Sequence, residues 1–130
     1  MKRLAYIFDL DGTLANIDHR KHYVESNKKN WNKFYEACKD DKPVKSVLRI
    51  AKILNENHNV LIWTGRSSEV REQTIEWLAK HFSEFNTDNL LMRNDGDHRP
   101  DYRLKRLWYN TYFLNSDIKI EGIFEDRASV

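Results

Sequence analysis

Two carboxylates, Asp9 and Asp11, stand where an apolar run ends. Residues 4–8 read LAYIF, and Gly12 and Thr13 turn the chain directly after the acids. Ionised carboxylates at the end of a buried strand are costly unless something positive satisfies them. Other parts of the sequence offer matching chemistry. Thr64 and Gly65 follow the apolar run NVLIW, Lys105 lies early in RPDYRLKRLWYNTYFL, and Glu125 and Asp126 follow IKIEGIF. Gathered at one point, the acids Asp9, Asp11, Glu125 and Asp126 need a cation between them, and an oxygen-only ligand set favours Mg²⁺. Such a site suits phosphoryl transfer. Asp9 is then the candidate nucleophile on phosphorus, and Asp11 the candidate general acid and base. Thr64 and Lys105 are the candidate holders of the transferring phosphoryl oxygens.

An alternation of strands and helices must position these groups. Residues 4–8 and Val60–Trp63 are short apolar runs, the pattern of strands buried on both faces, and NLLMR and IKIEGIF read as a third and a fourth strand. Helical segments separate them. NWNKFYEACKDD is opened by Asn30. KPVKSVLRIAKILNENHN carries Pro43 near its first turn and places Val44, Val47, Leu48, Ala51 and Leu54 on one face. SSEVREQTIEWLAKHF begins with Ser67 or Ser68 as cap, and a last helix starts at Pro100 and Asp101. This order predicts an α/β fold, a Rossmann-like doubly wound parallel sheet. Its strands deliver their C-terminal ends to one edge, where ligands bind. Every candidate group above falls at that edge, with Lys105 in the first two turns of a helix that starts there. The polar segment 16–30 reads as a loop or a small lid.

Composition narrows the class. With 130 residues, 40% hydrophobic and 32% charged, the chain reads as one globular domain. No apolar stretch approaches the roughly 18 residues of a membrane span. The N-terminus runs straight into the first strand, without the layout of a signal peptide. The single cysteine, Cys38, excludes an internal disulfide, suits a reducing cytoplasm and reads as a packing residue. A net charge of +2 says little about nucleic acid. No G-x-x-x-x-G-K-[ST] occurs, so a P-loop kinase half is absent from this sequence.

DLDGT at 9–13, TGR at 64–66, Lys105 and EDR at 125–127 resemble, in order, the four motifs of the haloacid dehalogenase superfamily. The resemblance spans nearly the whole chain. It implies one domain over residues 1–130, with that superfamily's fold and a minimal cap. It also implies that Asp9 is nucleophile and metal ligand, that Asp11 is acid and base with its backbone carbonyl on Mg²⁺, and that Asp126 binds the metal. Thr64 and Lys105 would hold phosphate. A second stretch, MRNDGDHRPDYRLK, taken with TGR and EDR, is similar to the phosphatase domain of bacteriophage-type polynucleotide kinase–phosphatase. That family removes 3′-phosphates from nucleic-acid ends. The matching positions are Arg66, Arg93, Gly96, Asp97, Arg99, Asp101, Lys105 and Arg127. The likeness implies substrate contacts at Gly65, Arg66, Arg93 and Arg127, although each arginine also reads as a solvated surface group.

The sequence departs from these families at two points. Glu125 stands where two adjacent aspartates are usual, so Asp126 is expected on the metal with Glu125 behind it. Relatives also continue with another helix and strand, so the fourth strand is expected to present an open edge. A missing C-terminal segment or a second copy of the chain would cover it. Asp95, Asp97 and His98 of DGDHR offer metal-ligand types, but a polar loop is the simpler reading. Two rival functions stay open: a 5′(3′)-nucleotidase of small nucleotides, and a non-catalytic module that holds phosphorylated ends.

Overall fold

A computed structural model describes residues 4–25 and 27–126. In chain order the elements are β1 (Leu4–Phe8), β2 (Ala15–Asn16), α1 (His22–Glu25), α2 (Trp31–Glu36), β3 (Lys42–Pro43), α3 (Lys45–Asn57), β4 (Asn59–Ser67), α4 (Arg71–His81), β5 (Leu90–Arg93), α5 (Asp101–Tyr112) and β6 (Lys119–Phe124). The main sheet has the order β5-β4-β1-β6, and all of its pairings are parallel.

Alternation along the inner strands builds two cores. Phe8, Val60, Ile62, Leu90 and Met92 face one side, where they meet Leu48 and Ala51 of α3 and Trp77 and Leu78 of α4. Ala5, Ile7, Leu61 and Trp63 face the other, against Leu104 and Trp108 of α5. Each large side chain buried this way stabilises the fold by about 1.5–3 kcal/mol. Helices therefore cover both faces of a parallel sheet, the doubly wound fold that the sequence predicts. β6 lies at the sheet's edge with alternating exposure, and Ile123 is 57% exposed on the face that α5 covers further in.

Two differences from the expected elements matter for the site. The second apolar strand does not stop at Trp63. β4 continues through Thr64, Gly65 and Arg66 to Ser67, while its register against β5 slips between Thr64 and Ser67. Such a bulge bends a strand and re-aims its side chains. The second difference is the insert after β1. β2 and β3 pair antiparallel, Ala15 with Pro43 and Asn16 with Lys42, and close a stem around residues 17–41. That unit holds the 3₁₀ turn Asp18–Arg20, α1, α2 and the 3₁₀ turn Ala37–Asp40, with Cys38 fully buried. The lid is thus larger and more helical than the segment 16–30, because the helix opened by Asn30 belongs to it.

Candidate active site

Asp9 follows β1 directly, its amide donating to the Phe124 carbonyl of β6 at 2.9 Å. This bond brings the ends of two adjacent strands together, and with them their acids. Carboxylate oxygens of Asp9, Glu125 and Asp126 all lie within 4.8 Å of one another. Lys105, on the second turn of α5, reaches in beneath them. Its Nζ is 3.1 Å from Asp9 Oδ1 and 2.5 Å from Glu125 Oε2.

Burial dominates the electrostatics here. It pushes Asp9 up to about 9, against the pull of Lys105, with the Glu125 carboxylate adding to the rise. Asp126 is raised too, first by burial and then by Glu125. Burial also works against the charge on Lys105, but Asp9 and Glu125 outweigh it and hold the ammonium above its ordinary value. Among the described residues these three acids gather beside one lysine, a concentration of negative charge that runs from the buried Asp9 out to the exposed Asp126. The donor set is carboxylate oxygen throughout, the chemistry a hard divalent cation prefers. These residues therefore fit Mg²⁺.

Gly12 makes that crowding possible. It has a positive φ of 83°, and a Cβ there would overlap the Asp126 carboxylate. Gly65 plays the same steric part for Asp101, whose carboxylate occupies the space a side chain would need.

The Asp11 carboxylate points elsewhere. Its Oδ1 accepts from Arg66 Nη2 at 2.5 Å and from Arg20 Nη2 at 2.8 Å. Burial would raise its pKa, but the two guanidinium groups prevail and hold it below the usual carboxylate range. Behind them lies Asp41, which takes Arg20 Nε and Nη2 at 2.8 Å each and Arg66 Nη2 at 3.1 Å. Arg20 Nη1 donates to the Phe34 carbonyl, Arg66 Nη1 to Thr74 Oγ1, and the Trp77 indole to the Asp41 carbonyl. His19 Nε2 lies 2.7 Å from Asp41 Oδ1. Arg20, Asp41 and Arg66 are all buried. This network clamps the lid onto β4 and α4.

The remaining predicted residues separate by position. Asp9, Asp11, Thr64, Gly65, Arg66 and Asp126 border one cavity of about 720 Å³ under the lid, and Arg93 lines it as well. Thr64 Oγ1 accepts from the Arg66 amide at 3.0 Å. Glu125 and Lys105 are paired behind Asp9. Arg93 is spent on structure: Nε donates to the Gly65 carbonyl at 2.7 Å, Nη1 to the carbonyls of Asp97 and Arg99, and Nη2 to Asp101 Oδ1 at 2.7 Å. It clasps the loop 94–100 rather than reaching freely into the cavity. Asp97 pairs with the exposed Arg99, and among the described residues only Asp9, Glu125 and Asp126 form a grouping suited to a metal. Arg127 lies outside the described residues.

Arg20 and Asp41 are the functional residues that sequence reasoning misses. Both sit in charged stretches, DHRKH and KDDK, that look like solvated lid and helix end. No spacing marks them, because their meeting depends on how the lid folds back.

Comparison with known proteins finds relatives of the same family and fold. The family model described as the polynucleotide kinase PNKP phosphatase domain matches residues 3–130. A protein of Autographa californica nuclear polyhedrosis virus, assigned as a bifunctional polynucleotide kinase/RNA ligase, is 29% identical over 128 residues. That match takes in 97% of this chain and 17% of the viral protein. A chain in the structure of the Pnkp1/Rnl/Hen1 RNA repair complex superposes with a TM-score of 0.80 at 27% identity, covering 99% of this chain and 38% of its own. A second Pnkp1/Rnl/Hen1 structure gives 0.78 at 27% identity, with 99% and 41% covered. The chain therefore spans well under half the length of these relatives.

Proposed function

The chain belongs to the family of polynucleotide kinase PNKP phosphatase domains, of the haloacid dehalogenase type, and from that premise we propose that it is a Mg²⁺-dependent phosphatase that removes 3′-phosphates from nucleic-acid ends. The observation that carries the reading is the placement of Asp9. A buried carboxylate at the end of a central strand is bonded to Lys105, grouped with two further acids, and open to a cavity beside Thr64.

Asp9, Glu125 and Asp126 would hold the metal, with the Asp11 carbonyl as a further donor. Bound there, Mg²⁺ screens the repulsion between an anionic nucleophile and an anionic substrate. The Asp9 carboxylate attacks phosphorus, the P–O bond to the leaving sugar breaks, and Asp11 gives that oxygen its proton. Water then attacks the aspartyl phosphate, Asp11 takes the water's proton, and Asp9 is released as a carboxylate. Thr64 and Lys105 stabilise the transferring oxygens. Arg66 serves chiefly to orient Asp11. Its Nε is a buried donor with no partner among the described residues, which leaves one N–H for a phosphoryl oxygen. Gly65 borders the substrate cavity, Arg93 holds the loop that forms its wall, and Arg127 stays a candidate substrate contact from the resemblance alone.

The test is inorganic phosphate release with Mg²⁺ from 3′- and 5′-phosphorylated oligonucleotides and from 3′- and 5′-mononucleotides, with Asp9→Asn as control. Turnover of the 3′-phosphorylated oligonucleotide well above the others, lost in the variant, supports the proposal. Faster mononucleotides would replace it with a nucleotidase, and phosphate affinity without turnover would replace it with a binding module.

A further inference from the structure

We infer that Trp31 on the lid provides a stacking face for a nucleobase, so that the site selects a nucleoside-bearing phosphate over a base-free phosphomonoester. The inference rests on the phosphatase reading above and names the part of the substrate that the catalytic residues do not touch.

Trp31 differs from the other tryptophans. Trp63, Trp77 and Trp108 are 3%, 4% and 8% exposed, whereas Trp31 is 47% exposed. It begins α2 and borders the same cavity as Asp9 and Thr64. Its ring is held in place, stacked on Tyr35 with centroids 5.9 Å apart and set edge-on to Phe34 at 5.7 Å. An aromatic fixed by neighbours yet open to solvent is poised to stack without first being ordered. Lys29 Nζ lies 5.9 Å from the same ring, so a positive charge accompanies the aromatic surface. That combination of a π-face and a cation suits a single-stranded nucleotide.

The cavity's chemistry is divided in the same sense. Carboxylates and the Thr64 hydroxyl lie at the sheet edge, while the lid side sets Ile17, Val24, Trp31 and Tyr35 among Lys21, Glu25 and Asn32. A volume of about 720 Å³ falls in the range of pockets that enclose a whole small molecule, not only a phosphate. A phosphomonoester seated with its phosphoryl group at Asp9 has its organic part in the same cavity, where the Trp31 ring offers a flat surface. The lid's tie to the sheet through Arg20, Asp41 and Arg66 keeps that surface at a fixed distance from Asp9.

All four tryptophans emit, but Trp31 is the one exposed to an added ligand, so quenching on binding reports chiefly on Trp31. We would titrate the full chain carrying Asp9→Asn, with Mg²⁺, using a 3′-phosphorylated dinucleotide, glycerol phosphate and inorganic phosphate. Quenching by the dinucleotide alone, abolished when Trp31→Phe is added, is the expected result. In the active protein, the ratio of kcat/KM for the dinucleotide to that for glycerol phosphate should fall about tenfold in Trp31→Ala and by much less in Trp31→Phe, which keeps a ring. Unchanged emission with the dinucleotide, or an equal ratio in all three proteins, would overturn the stacking role while leaving the phosphatase reading intact. Release of phosphate from neither ester would overturn the phosphatase reading itself, and the quenching titration would still decide the role of Trp31.

Discussion

Arg66 Nη2 lies 2.5 Å from Asp11 Oδ1, the same oxygen that Arg20 approaches to 2.8 Å. One carboxylate oxygen thus carries two guanidinium groups. Asp9 is bonded to Lys105 instead, so the two aspartates of one motif sit in different electrostatic surroundings.

The first prediction concerns pH. If Asp11 protonates the leaving oxygen, the reactive form is its acid, and the arginines hold its pKa low. Phosphate release should therefore decline as pH rises. Replacing Arg20 or Arg66 with Gln removes a positive charge, raises the Asp11 pKa and moves the declining limb to higher pH. Profiles of kcat for the wild type and for Arg20→Gln check this, and an unmoved limb would remove Asp11 from the proton transfer.

The same ion pairs stabilise the fold. Arg20→Ala removes one of the two guanidinium groups from the buried Asp41 and the half-buried Asp11 and leaves Arg66 as the other, a change that should cost up to about 3–5 kcal/mol. Arg20→Lys should recover only part of this, since an ammonium cannot reproduce the paired Nε and Nη2 bonds to Asp41. Urea unfolding near neutral pH measures both. The Asp11 contribution has its own sign: its folded pKa lies below its ordinary value, so this stability is present above about pH 4 and lost as pH falls through the folded pKa.

Asp9 runs the opposite way. Its pKa is raised from 3.8 to about 9, so the folded state retains a proton that the unfolded chain gives up. The resulting stability is fully present below pH 3.8 and is lost as pH rises toward about 9. In chelator, the Tm of the wild type should fall across that window. Asp9→Asn should flatten the slope, and added Mg²⁺ should restore the wild-type Tm at alkaline pH. Melting curves across pH, with and without Mg²⁺, test this, and a cation-insensitive Tm would argue against the metal site.

Gly12 and Gly96 form a matched pair. Both have φ of 83°, but a Cβ on Gly12 overlaps the Asp126 carboxylate while one on Gly96 meets nothing within 4 Å. Alanine at either position should cost about 1–2 kcal/mol in backbone strain. Only Gly12→Ala should also displace Asp126 and raise the Mg²⁺ concentration for half-maximal activity, by about tenfold or more. Equal Mg²⁺ responses in the two variants would show that Asp126 does not bind the ion.

The fold was largely legible because buried parallel strands announce themselves as unbroken apolar runs. LAYIF and NVLIW need no partner to be read, and the acids and the threonine that follow such runs fall at the sheet edge by topology. Lys105 was legible for a similar reason, as the helix that carries it starts at that edge. Arg20 and Asp41 were not. Their placement depends on residues 17–41 folding back over the sheet, and a buried arginine in a polar segment looks like any solvated one. Arg93 shows the same limit: its position was legible, but its use as a clasp on loop 94–100 rests on carbonyls that no side-chain pattern marks.

In the proposed reaction Asp9 carries the phosphoryl group. A 3′-end-labelled phosphate on an oligonucleotide, mixed with the protein and Mg²⁺ and quenched in acid on the millisecond scale, tests it directly. The expected result is label on the protein, mapped to the peptide containing Asp9, released by hydroxylamine and absent in Asp9→Asn. Label passing straight to inorganic phosphate, with turnover that survives Asp9→Asn, would contradict it.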